Sequence, residues 1–300
     1  MKKQKVLNFW KLLKVSFKDF NDNDPLRLSS STAFFATFSL IPTIVLLLNL
    51  FTIIFSEQLL TGEVFNALAT HLGEETTDYL STILENVQNM QQGTLATLGI
   101  IIFLMFVATT LFIVVQSSFN QIWKVKPTKG VSYKFMAKNR GISLLIILVT
   151  GLLFLVTLLL DVVIGFLGEN IFYLVPGIDQ WLISLLNIAF SLGIFTLWFA
   201  SIYKFLPDVI LSWKTVWPGS LLTSVLFVIG QFILGRVLVL GNISTIYGAS
   251  GSLVLVLLFI FYSSFILYYG ASFVKTYAEN NGERIETTNF TVRYEINEIE

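Results

Sequence analysis

A few polar side chains inside otherwise apolar runs are the residues of this sequence that could do chemistry within a membrane. They are carboxamides, one carboxylate and one guanidinium: Asn49, Gln116, Asn120, Asp161, Asn187, Gln231 and Arg236. Polar groups at such positions either hydrogen-bond to a neighbouring helix or contact a substrate, and both interpretations stay open. Asp161 and Arg236 are expected at the same level of the membrane, where they could pair or could reach the headgroups separately.

The same residues offer no catalytic, cofactor or metal site. The chain has one histidine, His71, and no cysteine. Zinc sites and metal-assisted hydrolysis gather several histidine, cysteine or carboxylate ligands around one ion. A protease within the membrane would need an acid pair or a nucleophile on a helix, and the sequence shows neither. We therefore expect a protein that is not an enzyme and that carries no cofactor and no metal.

Long apolar runs are the elements that position these polar residues. Hydrophobic residues make up 55% of the chain and charged residues only 13%, about half the share typical of soluble domains. A helix crosses the hydrocarbon core with about 20 apolar residues, and backbone groups in lipid must pair within the helix. The runs that qualify are Ala33–Phe55, Leu95–Val115, Ile142–Phe166, Trp181–Tyr203, Trp217–Leu240 and Leu253–Tyr269, the last with extensions at both ends. The sequence thus predicts an all-α polytopic membrane protein with six transmembrane helices, the first with a candidate kink at Pro42.

Lysine and arginine lie almost entirely on one side of this arrangement. All but one of the 19 basic residues fall in the N-terminal segment, the second and fourth loops and the segment after Tyr269, and the exception is Arg236. The first loop instead carries acidic residues such as Glu74 and Glu75. Because basic loops stay in the cytoplasm, we expect both termini to be cytoplasmic and the protein to lie in the cytoplasmic (inner) membrane.

Three regions follow from this pattern: an N-terminal segment, 1–31; a transmembrane domain, 32–277, with an outer loop, 56–94; and a polar tail, 278–300. In the N-terminal segment, Val6, Phe9, Trp10, Leu13, Phe17 and Phe20 form one apolar stripe. This stripe predicts an amphipathic helix in the inner headgroup layer. The outer loop has apolar residues at helical spacing, which predicts amphipathic helices on the outer face.

The tail shows a different periodicity. Phe290, Val292, Tyr294 and Ile296 alternate with polar residues, as in a β-strand. An isolated strand is not stable, so the tail must pair with another loop or with a partner, or else lack fixed structure. We expect disorder or weak order.

Several short segments resemble a known family when taken in order. They are Ala33–Pro42, Asn120–Trp123, Tyr203–Pro207 followed by Trp217–Gly219, and Ile246–Gly251 leading into the last span. Together they resemble the YihY/BrkB family of bacterial inner-membrane proteins over about residues 15–280. The resemblance implies a six-span all-α protein without an established set of catalytic residues. An older ribonuclease label for this family does not fit a chain with one histidine on its outer side.

Two functions remain as hypotheses. The first is a transporter or flippase-like protein that moves a lipid or amphipathic substrate, and the second is a non-enzymatic membrane scaffold or assembly factor. A membrane-bound enzyme is disfavoured. Membrane lipids are the expected partners and nucleic acid is not, whereas self-association into a homo-oligomer and a protein partner are left open. The basic second loop is explained as a topology signal and a contact for anionic lipid.

Overall fold

A computed structural model of the chain describes residues 2–51, 94–128, 137, 139–153, 180–240, 251–283, 285–288 and 291–295. The helices are α1 (Lys2–Asn21), α2 (Pro25–Phe51), α3 (Thr94–Ile122), α4 (Asn139–Leu153), α5 (Gln180–Phe205), α6 (Trp213–Leu240) and α7 (Gly251–Asn280). The strands are β1 (Val125–Pro127), β2 (Val209–Ile210), β3 (Glu286–Thr287) and β4 (Thr291–Arg293). The all-α prediction is confirmed, because the strands are only short additions to long helices.

Four helices within the described ranges are long and apolar enough to cross a membrane. The qualifying segments are Ile102–Ile122, Ile188–Phe205, Trp213–Ile233 and Val254–Asn280. They belong to α3, α5, α6 and α7, and α4 is a shorter apolar helix. This confirms a multi-pass membrane protein, whereas the count of six spans stays a prediction. The outer loop predicted over 56–94 lies outside the described residues except for the start of α3.

Helix α7 is the central element of the described part. It packs against α1, α2 and α6, with a smaller contact to α3, while α2 packs on α3 and α5 packs on α6. Two helix pairs therefore flank one central helix. The largest fully buried side chains are aromatic and come from the same end of these helices: Trp123, Tyr203, Tyr268, Phe119, Phe199 and Phe273.

This end of the bundle, which we call the capped end, is covered by two small antiparallel sheets. Strand β1 follows α3 and pairs with β4, so that Lys126 lies opposite Val292. Strand β2 follows α5 and pairs with β3, so that Ile210 lies opposite Glu286. The expectation of a disordered or weakly ordered tail is therefore wrong for the described tail residues, because loops between the helices supply the missing strand partners.

Helix α1 is joined to α2 by a tight turn and lies against α7. The Asn23 side chain donates a hydrogen bond to the Asp19 carbonyl (2.6 Å), Asp24 has a positive φ of 55°, and Pro25 begins α2. Proline is favoured at the first helical position because its missing N–H has no helical partner there anyway. Phe20 is buried, whereas Trp10 is 61% exposed. Phe9 and Phe17 are also largely exposed, but their rings contact Phe273 and Tyr269 of α7, so one side of the predicted apolar stripe packs on the bundle.

Helix α2 continues through Pro42 to Phe51. Proline removes one main-chain hydrogen bond inside a helix. Two hydroxyls in the preceding turns bond to their own helix: Thr37 donates to the Ala33 carbonyl (2.8 Å) and Ser39 to the Phe35 carbonyl (2.5 Å). The kink predicted at Pro42 stays a prediction.

Candidate functional site

An amide–carboxylate pair lies at the centre of the capped end. The Asn120 Nδ2 atom at the end of α3 donates to Asp208 Oδ2 (2.8 Å), and the Asp208 backbone N–H donates to Asn120 Oδ1 (3.0 Å). Both residues are buried, with 8% and 2% of their surface exposed. Both the N–H donor and the oxygen acceptor of the Asn120 amide are therefore hydrogen-bonded, and the buried Asp208 carboxylate has a hydrogen-bond donor.

Asp208 also joins the tail to this pair. Its carbonyl accepts hydrogen bonds from the Thr288 N–H (3.2 Å) and from the Thr291 hydroxyl (3.2 Å). Residues from α3, the turn after α5 and the segment after α7 therefore meet at one point. Sequence reasoning missed Asp208, although an acidic residue directly after Pro207 in a segment shared with a family was a usable signal.

Glu283 binds the N-terminus of α6. Its carboxylate accepts hydrogen bonds from the Ser212 N–H (2.8 Å), from the Ser212 hydroxyl (3.1 Å) and from the Thr215 hydroxyl. A carboxylate at this position satisfies free N–H groups and complements the helix dipole. Burial by itself raises the pKa of Glu283, but the hydrogen bonds from Thr215 and Ser212 and the charge of Lys204 outweigh burial and lower the pKa below its ordinary value.

Hydroxyl groups form a buried line between the helices, which we call the polar seam: Thr32, Ser118, Tyr203, Thr223 and Tyr268. The Tyr203 hydroxyl donates to the Leu267 carbonyl (2.8 Å) and lies 2.9 Å from the Thr223 hydroxyl. The Tyr268 hydroxyl lies 2.5 Å from that of Thr32 and also bonds to Ser118. The Phe119 ring contacts both tyrosine rings, with centroids 5.7 and 5.8 Å away. The seam links α2, α3, α5, α6 and α7 without an ionised side chain.

Gly270 makes the close approach of these helices feasible. A Cβ atom at this position would collide with the Thr223 and Tyr203 hydroxyls. Glycine therefore leaves the space that the two hydroxyls occupy, and α7 can lie close to α5 and α6.

Some buried polar atoms beside the seam have no hydrogen-bond partner within the described ranges. They include Gln116 Nε2, Ser29 Oγ and Ser272 Oγ. An unsatisfied buried polar group costs about 1–3 kcal/mol. Gln116 is 3% exposed and was among the predicted polar contacts, so its amide points into the bundle with unused hydrogen-bonding capacity.

The other predicted site residues are not brought together by the described part of the chain. Gln231 is half-buried on α6. Asn49, Asn187 and Arg236 lie on α2, α5 and α6, with side chains outside what the structure describes, and Asp161 lies outside the described residues altogether. Whether Asp161 pairs with Arg236 or each reaches the headgroups separately therefore stays open.

A partly buried ion pair fixes α1 to the central helix. The Lys275 Nζ atom is 2.6 Å from Asp19 Oδ1, and Lys275 is 6% exposed. The Tyr269 hydroxyl donates to the Leu13 carbonyl (3.3 Å), and the Phe20 ring packs edge-on against Phe265. Removing one partner of such a pair leaves a charge without compensation, so α1 is firmly held to α7.

No group of three or more histidine, aspartate or glutamate side chains could hold a metal ion in the part of the chain that the structure describes.

Comparison with known proteins gives one family. A family model described as virulence factor BrkB matches residues 16–293. A UPF0761 membrane protein of Teredinibacter turnerae is 26% identical over 276 residues, which cover 89% of this chain and 60% of that protein. One of Saccharophagus degradans is 24% identical over 267 residues, covering 88% and 58%. One of Pseudomonas aeruginosa is 28% identical over 213 residues, covering 70% and 48%.

The chain spans about half to three fifths of the length of these curated relatives. No solved structure matches it significantly.

Proposed function

The chain belongs to the YihY/BrkB family of membrane proteins, and from this premise we propose that it moves a lipid or another amphipathic molecule across the cytoplasmic membrane without catalysing a reaction. The observation that carries the proposal is the polar seam, a line of buried, uncharged hydroxyls inside an apolar bundle. A crossing headgroup needs polar partners between the helices, and a charge at the same depth would be costly and would hold the substrate.

Unsatisfied polar atoms beside the seam support the same proposal. A hydroxyl or amide side chain can replace its hydrogen bond to a neighbouring side chain by one to a passing headgroup, at little net cost in free energy. Gln116 Nε2, Ser29 Oγ and Ser272 Oγ have no partner in the described state. A headgroup that reached them would satisfy donors that are now unpaired, which lowers the free energy of the occupied state.

The proposed orientation places the capped end in the cytoplasm. Lys124, Lys126, Lys204, Lys214 and Arg293 all belong to this end, and an excess of basic residues is typical of cytoplasmic loops. The exposed Trp10 and Phe17 of α1 would then lie in the inner headgroup layer. Both termini of the chain would be cytoplasmic.

The test is lipid movement in vesicles that contain the purified protein. A phospholipid with a fluorescent headgroup is placed in both leaflets, and dithionite added outside bleaches the label that reaches the outer leaflet. Vesicles with protein should lose fluorescence beyond the roughly one half that empty vesicles lose, since that half reports the outer leaflet. Folded protein whose vesicles bleach like empty vesicles would refute the proposal and would favour the scaffold hypothesis.

A matched pair of variants connects the movement to the interior. Gln116→Leu removes the unpaired amide at similar volume and should slow bleaching several-fold. Ser201→Ala is the control, because the Ser201 hydroxyl bonds only to the Leu197 carbonyl of its own helix (2.9 Å) on the exposed side. Equal rates for the two variants would show that the movement does not use the Gln116 amide.

A further inference from the structure

The segment after α7 fastens two loops that belong to different helix pairs. We call its described residues, 285–288 and 291–295, the strap. We propose that the strap is a latch: it holds the capped end closed, and it must leave β1 and β2 before this end of the bundle can open. This inference rests on the proposed function, since opening is what substrate passage would require.

The strap reaches both flanking helix pairs from the central helix. Strand β4 pairs with β1 at the end of α3, where Val125 lies opposite Arg293 and the Tyr294 N–H donates to the Lys124 carbonyl (3.0 Å). Strand β3 pairs with β2 at the end of α5, where Val209 lies opposite Thr287. The ends of α3 and α5 are therefore tied to one extended segment and cannot separate while both pairings persist.

The strap also closes over the buried pair of Asn120 and Asp208. Thr291 is 5% exposed, and its hydroxyl lies within hydrogen-bond distance of the Asp208 carbonyl (3.2 Å) and of the Thr288 hydroxyl (3.1 Å). The Lys126 ammonium group stands over the Tyr294 ring at 5.4 Å. The strap thus contacts Asp208, whose partner Asn120 lies two residues after Ser118 of the polar seam on α3.

The strap is held more weakly than the helices beneath it. Its two ladders are two and three residues long, and short isolated ladders are only marginally stable in water. Glu286, Val292 and Arg293 are exposed, and Ile285 is the strap's buried apolar anchor. The helices, by contrast, are joined by fully buried aromatic rings. Local opening starts where buried apolar contact is smallest, which here is the strap.

The chain contains no cysteine, so every thiol in the variants below is an introduced one. Ile210→Cys with Glu286→Cys places two thiols at opposed, exposed positions of the β2–β3 ladder. Opposed residues in antiparallel strands have a spacing that a disulfide can bridge. Lys126→Cys with Val292→Cys makes the equivalent lock between β1 and β4. The same protein after reduction is the matched control for each lock.

Two measurements are made on each locked protein. The first is lipid movement in vesicles, which should fall by about tenfold or more when the disulfide is closed and return on reduction. The second is maleimide labelling of a thiol introduced by Ser118→Cys, a buried position on α3, counted by mass on the peptide that contains it. Labelling should also slow by about tenfold in the locked protein, because the reagent reaches this position only through an open capped end.

Each outcome decides between the latch and the function. Slower labelling and slower lipid movement in the locked protein support both. Slower labelling in a protein that moves no lipid in any state retains the latch and overturns the proposed function. Fully closed disulfides that leave the labelling rate of the Ser118→Cys thiol unchanged overturn the latch, whatever the vesicles show.

Discussion

Replacing Gly270 by alanine should destabilise the protein, because the added methyl group enters the space of two hydroxyls. The Cβ atom would collide with the Tyr203 and Thr223 hydroxyls, and Tyr203 would lose its bonds to the Leu267 carbonyl and to Thr223. Overpacking costs about 1–3 kcal/mol, a buried hydroxyl left unsatisfied costs about 1–3 kcal/mol, and alanine in a helix returns about 1 kcal/mol relative to glycine. The net loss should be roughly 1–5 kcal/mol, and about 3 kcal/mol at the middle of these ranges.

The assay is thermal unfolding of the detergent-solubilised protein, and the measured quantity is the fraction of protein that stays monodisperse at each temperature. A loss of this size should lower the apparent melting temperature by roughly 5–10 °C. Gly193→Ala is the matched control, because nothing lies within 4 Å of a Cβ atom at that position of α5. The control should melt at or slightly above the temperature of the unchanged protein.

A double variant identifies the cause. Tyr203→Phe alone removes a hydroxyl that makes two buried contacts and should cost about 1–2 kcal/mol. Added to Gly270→Ala, it removes one of the two clashes, so the double variant should be less destabilised than the two single changes added together. Strict additivity, or a Gly270→Ala protein that melts with the Gly193→Ala control, would refute the packing argument.

Three further changes test the capped end. Asn120→Asp puts a second carboxylate beside Asp208 and removes the amide N–H that donates to it, which should lower the apparent melting temperature by several degrees. Adding Asp208→Asn should restore most of the lost melting temperature, because the amide and the carboxylate then exchange places. A failure to restore it would show that the two groups do not act together. Lys275→Met leaves the Asp19 carboxylate without its cation, so trypsin should cut α1 faster. Asp19→Leu in the same protein should reverse this effect. An unchanged cutting rate would argue against the ion pair as the contact that holds α1 on α7. Because the folded pKa of Glu283 is lowered, its contribution to stability is full above the ordinary glutamate pKa and is lost as the pH falls through the lowered value. The difference in melting temperature between the unchanged protein and Glu283→Gln should therefore stay constant from about pH 7 to 5 and shrink only below about pH 4. A difference that is already gone at pH 5 would contradict this.

Elements that depend on local composition could be predicted from the sequence. The apolar runs at 95–115, 181–203 and 217–240 lie within α3, α5 and α6, because a run long enough to cross a bilayer has no other stable form in lipid. The sixth run, Leu253–Tyr269, was expected to extend at both ends, and α7 does so, since it begins at Gly251 and runs to Asn280. Helix α1 packs against α7, a contact that hydropathy alone does not report.

Contacts that join distant parts of the chain were not predictable in the same way. The alternation around Val292 indicated a strand, but its partner is a three-residue loop segment, Val125–Pro127, which shows no strand pattern of its own. Asp208 gave no sign that it binds Asn120, since the pair forms only after α3 and α5 have come together. Residues whose partners lie far away in the sequence need the tertiary structure to reveal their role.

The position of the strap also sets the order in which the protein can be made. Strands β1 and β2 leave the ribosome and enter the membrane region well before β3 and β4 are synthesised. Until then their edges and the Asp208 carbonyl face water or a chaperone rather than their final partners. Membrane insertion can therefore precede completion of the bundle, and a chain that ended after α7 would leave the edges of β1 and β2 at the capped end without these partners and open to proteases.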